Sequence, residues 1–330
     1  MKAALVYSGA ADDTADNQDT LVQLEEISAT LKSLNIETFE VAFNASVGDV
    51  ERELWRIKPD FVFNLVETLK GSDSLIYLAA ALYEMLQIPY TGCSAVSLAM
   101  LASKIRQKQM LRLAGLPTAD FYCTETEADF SAGPWIVKSD TEHASVGISS
   151  DSVLPTLAEA KKTMEQKKRA FGGVWFAERF IDGREFNLSL LPIENGQLQV
   201  LPAAEIRFVN FPKDKPKIVD YAAKWDTESE VYQATQRSFE FSAGDKNLLL
   251  KLEEICYQCW RLFGLSGAAR IDFRIDANGN PWILEINANP CLSSDAGFMV
   301  AAGKAGLSAQ DVIKKLLPHT ILTRVLPQNV

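Results

Sequence analysis

Long apolar runs are missing from this sequence. None approaches the roughly 18 residues that a membrane-crossing helix needs, and the stretch from Ala3 to Tyr7 behind Met1-Lys2 is too short for a signal-peptide core. The expectation is a cytoplasmic chain without membrane contact. Basic residues are outnumbered, with 33 Lys and Arg against 43 Asp and Glu and a formal net charge of −10. A general nucleic-acid surface needs clustered cations, so no nucleic-acid partner is expected. Cysteine is sparse and odd in number: Cys93, Cys123, Cys256, Cys259 and Cys291 are widely spaced. That pattern reads as reduced thiols rather than a disulfide framework. Cys256 and Cys259 lack the second Cys/His pair of a zinc site and share the apolar face of a helical pattern with Leu252, Ile255 and Phe263, so they read as core. The loop after Tyr7 lacks the GxGxxG dinucleotide signature, and Gly303-Lys-Ala-Gly306 is too short for a P-loop.

The chain holds 330 residues of ordinary globular composition, enough for two or three cores. Its first third alternates strands with helices. Lys2–Ser8, Glu37–Phe43 and residues 60–66 read as strands, and residues 20–34 as a helix between the first two. Such alternation implies a parallel, doubly wound sheet. A helix over Lys104–Leu113 follows, and then Gly115-Leu-Pro117 punctuates the chain. Beyond Phe121 the strands shorten. Residues 134–138 run into a polar loop at 139–145, and Asp182-Gly183 between residues 174–181 and 184–191 is a short hairpin signal. Boundaries near 100 and 184 divide the chain into 1–100, 101–184 and 185–330.

One hairpin concentrates polar chemistry. Residues 270–276 and 282–287 both alternate polar with apolar, around Asn278-Gly279, the signal of a two-residue type I′ turn. With that turn, Asp272 faces Glu285 and Arg270 faces Asn287, all on one side of the sheet, while Ile271, Phe273, Leu284 and Ile286 face a core. Opposed carboxylates ~5 Å apart repel, and a divalent cation removes that cost; two carboxylates and an amide are hard oxygen donors that suit Mg²⁺. Taken alone, the same face is equally a solvated one on which Arg270 and Arg274 neutralise the acids.

Further motifs run in order along the chain: Ile88-Pro-Tyr-Thr-Gly92, Lys104, Gly115-Leu-Pro117, Ile136-Val-Lys138, Glu142 with Val146-Gly147, Glu178, Gly183-Arg-Glu-Phe186, Tyr221-Ala-Ala-Lys224, Arg270-Ile-Asp272 and Leu284-Glu-Ile-Asn-Ala-Asn-Pro290. In these the chain resembles the D-alanine–D-alanine ligase family of ATP-grasp enzymes over nearly its whole length. The resemblance implies an ATP-grasp fold of three domains, an N-terminal doubly wound α/β domain followed by two mixed antiparallel α+β subdomains clasping ATP. It implies a cytoplasmic ligase, a homodimer by analogy, that joins a carboxylate to an amine through an acyl phosphate. ATP and two Mg²⁺ ions, or Mn²⁺, are the implied cofactors, and amino-acid-like small molecules the substrates. Asp272, Glu285 and Asn287 resemble the metal ligands, and Lys104, Lys138 and Lys224 the phosphate lysines. Residues 139–147, with Ser145, resemble the flap over the triphosphate. Glu178, Arg179, Phe180 and Ile181 resemble the adenine-binding segment, Glu185 the ribose acid, and Arg270 the arginine at the tetrahedral intermediate. His143 lies in the flap without the Ser or Cys partner of a triad.

The amino-acid half departs from the family. The glycine-rich loop after the first strand is replaced by the acidic residues 8–17, and Leu-His-Gly by Asn64-Leu-Val-Glu67. Ala144 aligns with the flap serine, Trp225 with a tyrosine, and Cys291 with a glycine whose amide lines the oxyanion hole. Ala296, beside Asp295, aligns with the serine that binds the second substrate's carboxylate. Asp12, Asp13, Asp16, Glu67 and Asp295 then imply an acid-lined pocket and a substrate other than D-Ala, one with an extra positive group or without a carboxylate on the nucleophile. A genuine D-alanine–D-alanine ligase, an intramolecular amide-forming cyclase and a non-catalytic ATP-binding protein are the alternatives.

Overall fold

The computed structural model describes residues 1–9, 15–44, 46–124, 133–142, 147–193, 197–212, 215–220, 223–224, 226 and 228–325. The chain opens with a parallel sheet in the order β2-β1-β3, made of β1 (Lys2–Ser8), β2 (Glu37–Phe43) and β3 (Phe61–Leu65). Ala3, Ala4, Leu5 and Val6 are fully buried in succession, because helices cover both faces and no solvent side remains to demand alternation. The crossovers are α1 (Ala15–Ser33) and α2 (Val47–Ile57), the latter capped by the Ser46 hydroxyl. The motif around Tyr90 extends the sheet through a parallel bridge to Val62. After α3 (Tyr77–Met85) and α4 (Ala95–Leu101) comes α5 (Lys104–Leu113), started by the Ser103 cap.

A second, antiparallel sheet has the order β4-β7-β5-β6, from β4 (Phe121–Tyr122), β5 (Trp135–Ser139), β6 (Val153–Leu154) and β7 (Trp175–Arg179). The amphipathic α6 (Leu157–Phe171) packs Ala160 and Met164 against Trp135, Val137 and Trp175 on one of its faces. The third sheet runs β11-β10-β8-β12-β13, with β9 on β8. Its strands are β8 (Arg184–Pro192), β9 (Leu198–Val200), β10 (Ala204–Phe208), β11 (Thr235–Ser238), β12 (Ala269–Ile275) and β13 (Pro281–Asn287). Between β10 and β12 lie α7 (Glu230–Gln233) and α8 (Lys246–Leu262). Leu252, Ile255, Cys256 and Cys259 of α8 are buried against the sheet, and both thiols are free, as core packing requires. The last helices, α9 (Gly297–Lys304), α10 (Ala309–Leu316) and α11 (His319–Val325), share a core with α1 and the first sheet, joining Phe298, Val312 and Ile313 to Leu5, Leu24 and Phe63.

Two turns differ from expectation. Asp182-Gly183 makes no hairpin, because β7 and β8 belong to different sheets. Gly183 is needed for close approach instead: a Cβ there would lie 1.9 Å from the Ile275 carbonyl oxygen. At Asn278-Gly279 only Gly279 has positive φ (78°), and a type I′ turn needs it at both residues. Asp276 N–H donates to the Asn280 carbonyl at 3.0 Å, closing a three-residue loop. The register then shifts between Asp272 and Phe273, where β13 carries one extra residue. Ile283, not Leu284, therefore joins Ile271, Phe273 and Ile286 in the core.

Candidate active site

The extra loop residue and the bulge cancel. Asp272 pairs with Glu285 and Arg270 with Asn287, as alternation from the sequence implies. On the other side of β12, β8 sets Asn187 against Asp272 and Glu185 against Arg274. These residues share one face. Arg270 grips Asp272 through two hydrogen bonds, Nε to Oδ1 at 2.8 Å and Nη2 to Oδ2 at 2.9 Å. The Asp272 charge outweighs burial and pushes the Arg270 pKa up. Asn187 Nδ2 donates to the same Oδ1 at 2.7 Å. Glu185, itself buried, is ion-paired with the buried Arg274 at 2.7 Å. Asn287 Oδ1 accepts the Asn289 N–H at 3.0 Å, which fixes the side-chain orientation.

Helix α5 lies along the free edge of β13. Gln107 is fully buried there; its Oε1 accepts the Ile286 N–H at 3.0 Å and its Nε2 donates to the Ile286 carbonyl at 3.2 Å. That clamp sets Lys104 beside the hairpin, with Nζ 3.3 Å from Glu285 Oε1 and donating to the Glu142 carbonyl at 2.7 Å. Asp140, at the base of the polar loop, accepts from Ser103 Oγ at 2.9 Å and Ile105 N–H at 2.8 Å, so the loop begins on the start of α5. Of the expected loop residues, His143, Ala144 and Ser145 lie outside the described residues, as does Trp225.

One turn after Lys104 on the same helix face stands Lys108, which the motif reading missed although its i+4 spacing marks it. Lys108 and Lys138 flank the Glu178 carboxylate; Lys138 Nζ donates to Oε1 at 3.0 Å and Lys108 is paired with Oε2. Burial pushes the Glu178 pKa up, but the two lysines prevail and hold it below the usual carboxylate value. The next backbone groups serve the sheets: Arg179 N–H donates to the Asp120 carbonyl and Phe180 N–H to the Pro134 carbonyl. Among the described residues the Ile181 N–H has no acceptor. Lys224 is exposed, within electrostatic reach of Arg270, Glu285, Asp272 and Glu185.

Beyond β13 the loop at 291–294 is strapped to α1 by residues at helical spacing. Cys291 Sγ donates to Asp19 Oδ2 at 3.1 Å, Leu292 N–H to Gln23 Oε1 at 2.7 Å, and Ser294 N–H to Glu26 Oε2 at 2.7 Å. Gln23 Nε2 in turn donates to Glu67 Oε1 at 2.9 Å, so the strap reaches the end of the first sheet. Burial, with Glu67 and Asp19 nearby, pushes the Cys291 thiol up. A cavity of about 50 Å³ opens beside Asn287, lined by Glu67, Ile76, Leu98 and Leu101. The Asp295 carbonyl accepts Arg237 Nη1 at 3.3 Å.

Residues 105–318 match the family described as D-ala D-ala ligase C-terminus. The D-alanine–D-alanine ligase of Laribacter hongkongensis is 31% identical over 264 residues, 78% of this chain and 78% of that one. The chain belongs to the D-alanine–D-alanine ligase family. That family consists of ATP-grasp enzymes, ligases that join carboxylates to amines, and this chain is one of them. The Chromohalobacter salexigens D-alanine–D-alanine ligase is 29% identical over 332 residues, covering 97% of this chain and 94% of that one. The D-alanine–D-alanine ligase of Bacillus anthracis complexed with ATP has the same fold, with TM-score 0.73 at 18% identity over 96% of each chain. The first sheet and the two antiparallel sheets after it are those of the ATP-grasp ligases.

Of the acids expected to line the substrate pocket, the described residues include Glu67 and Asp295. Asp12, Asp13 and the side chain of Asp16 lie outside the described residues. Asp295 does not stand alone: its carbonyl accepts from Arg237, whose guanidinium also lies within electrostatic reach of its carboxylate. Sequence reasoning missed Arg237, Asn187 and Lys108; Arg274 it named only as a counter-charge on the hairpin face, not as the partner of Glu185. Asn187, two residues after Glu185 on an alternating strand, carried a signal; Arg237, brought in by sheet order, did not.

Proposed function

We propose that this chain is an ATP-dependent ligase that joins the carboxylate of one amino acid to the amine of another, with D-alanine the first substrate to test on the names of its relatives. The observation that carries the reading is the convergence of Lys104, Lys224 and Arg270 on the face that presents Asp272, Glu285 and Asn287, with Lys138 linked to the helix of Lys104 through Glu178 and Lys108. ATP fits this set. The lysines and Arg270 match a polyphosphate, the Ile181 N–H, without an acceptor among the described residues, suits an adenine ring nitrogen, and Glu185, within electrostatic reach of Lys224, is the carboxylate we assign to the ribose. Two opposed carboxylates and an amide fit Mg²⁺. Bound there, ATP supplies the phosphoryl group that activates the substrate carboxylate.

The chain's own residues do the rest. Lys104 and Lys138 screen phosphate charge against the incoming carboxylate and hold the groups in line. Arg270, oriented by Asp272, offers its guanidinium to the oxyanion that forms when the amine attacks. To the loop at 139–147, of which 143–146 lie outside the described residues, we assign the exclusion of water. The division at about 100 and 184 remains our proposal for the domains. A second reading, a ligase for an amino acid other than D-alanine, draws on Cys291, whose thiol is held by Asp19, and on Ala296, which offers no hydroxyl. Phosphate release and mass spectrometry over pairs of amino acids of both hands separate the two readings. D-alanyl-D-alanine among the best products supports the first, and a different pair with D-alanine inert supports the second.

A further inference from the structure

The cations near the hairpin are matched to carboxylates: Arg270 to Asp272, Lys104 to Glu285, Lys108 and Lys138 to Glu178, and Arg274 to Glu185. Two are not. Lys224 is already taken as a phosphate lysine in the reading above. Arg237, on β11 opposite Ile206, has no role in that reading, and among the described residues no carboxylate lies at ion-pair distance from it. Its side chain is held all the same. Nη1 donates to the Asp295 carbonyl at 3.3 Å, and the guanidinium lies over Gly297, where a Cβ would come within 3.4 Å of Nη2, 3.7 Å of Cζ and 3.9 Å of Nε.

Position and chemistry point the same way. Arg237 is exposed, so its remaining donors are open to a ligand. It lies close enough to Arg270 for the two charges to repel, while Arg270 already holds its one carboxylate, Asp272. An anion beside Arg237 relieves that repulsion, and the planar fork of arginine matches a carboxylate. Arg270 marks where the new amide bond forms. In an α-amino acid the carboxylate is two bonds from the attacking nitrogen, about 3 Å away by covalent geometry. An arginine neighbouring Arg270, but separate from it, is therefore placed for the acceptor's carboxylate.

We infer that Arg237 binds the carboxylate of the amine substrate and so restricts the acceptor to amino acids with a free carboxylate. This rests on the ligase reading, and the test separates the two. The purified protein receives ATP, Mg²⁺ and a panel of α-amino acids of both hands as carboxylate donors, each with equimolar acceptor acid and acceptor carboxamide, D-alanine and D-alaninamide among them. Mass spectrometry reads the ratio of acid-terminated to amide-terminated product. The expected ratio is about tenfold or more in favour of the acid. Arg237→Gln brings it close to one and raises KM for the acceptor about tenfold, with KM for ATP unchanged. Arg237→Lys retains part of the preference, and unchanged melting curves exclude a folding defect. Amide products whose ratio is near one in the wild type, or is unmoved in Arg237→Gln, overturn the role of Arg237 alone. No amide product from any pair overturns the ligase reading and this inference with it.

Discussion

At the residue scale the most deeply buried charges of the site depend on their partners. Lys108 and Glu178 are both 1% exposed at the side chain, so truncating one strands the other. Lys108→Met is expected to lower unfolding free energy by about 3–5 kcal/mol, read from denaturant titration. The pH dependence follows from the same pair. Glu178 has a folded pKa below its unfolded value, so its contribution is fully present above about pH 4.3 and is lost as pH falls through the folded pKa. The stability gap between wild type and Lys108→Met should therefore narrow on acidification below pH ~4, and a gap constant down to pH ~2 would contradict the pairing. Glu285→Gln should reduce turnover at least about a hundredfold. It should bring no gain in apo stability, because Lys104 and Arg270 already neutralise the opposed acids. A melting temperature well above wild type would show that those acids repel unrelieved.

At the element scale, much of the site was legible because strands alternate. The face carrying Arg270, Asp272, Glu285 and Asn287 follows from period two alone once the hairpin is recognised. The turn was misread by one residue, since Asn-Gly suits a two-residue loop and a three-residue loop ending in left-handed glycine equally well. The bulge on β13 repaired the register, which local sequence does not announce. Asp182-Gly183 was misread for a different reason: the constraint on Gly183 comes from Ile275, remote in sequence. The two glycines should respond differently. Gly279→Ala meets no atom within 4 Å and has only its φ of 78° to resist it, about 1 kcal/mol. Gly183→Ala must displace backbone and should cost about 3 kcal/mol or more. Equal losses in chemical denaturation would contradict the close-approach account.

At the scale of the whole molecule, the site is assembled from all three sheets. Strand β5 brings Lys138, β12 and β13 bring the acids, and α5 leads from the first sheet to the edge of β13. Sequence motifs reported these pieces separately; Arg237 escaped notice because only the order β11-β10-β8-β12 brings it to the face. The strap from Asp19, Gln23 and Glu26 to residues 291–294 ties the first helix to the loop after the hairpin, so the amino-acid half depends on contacts far apart in the chain. Mg-ATP bound across this assembly should raise the melting temperature by mass action, by about 2.7 kcal/mol of stabilisation at a hundredfold excess over Kd, and NAD should not.

The central claim is that the converging lysines and Arg270 serve the joining of a carboxylate to an amine at the expense of ATP. The most direct test is product analysis of the wild-type protein with ATP, Mg²⁺ and amino-acid pairs, D-alanine included, with ADP, phosphate and amide measured in the same tube. The account predicts one ADP, one phosphate and one new amide bond per turnover, all lost together in Glu285→Gln and Arg270→Met. Phosphate released without amide in every pair, or no ATP consumed at all, would contradict it.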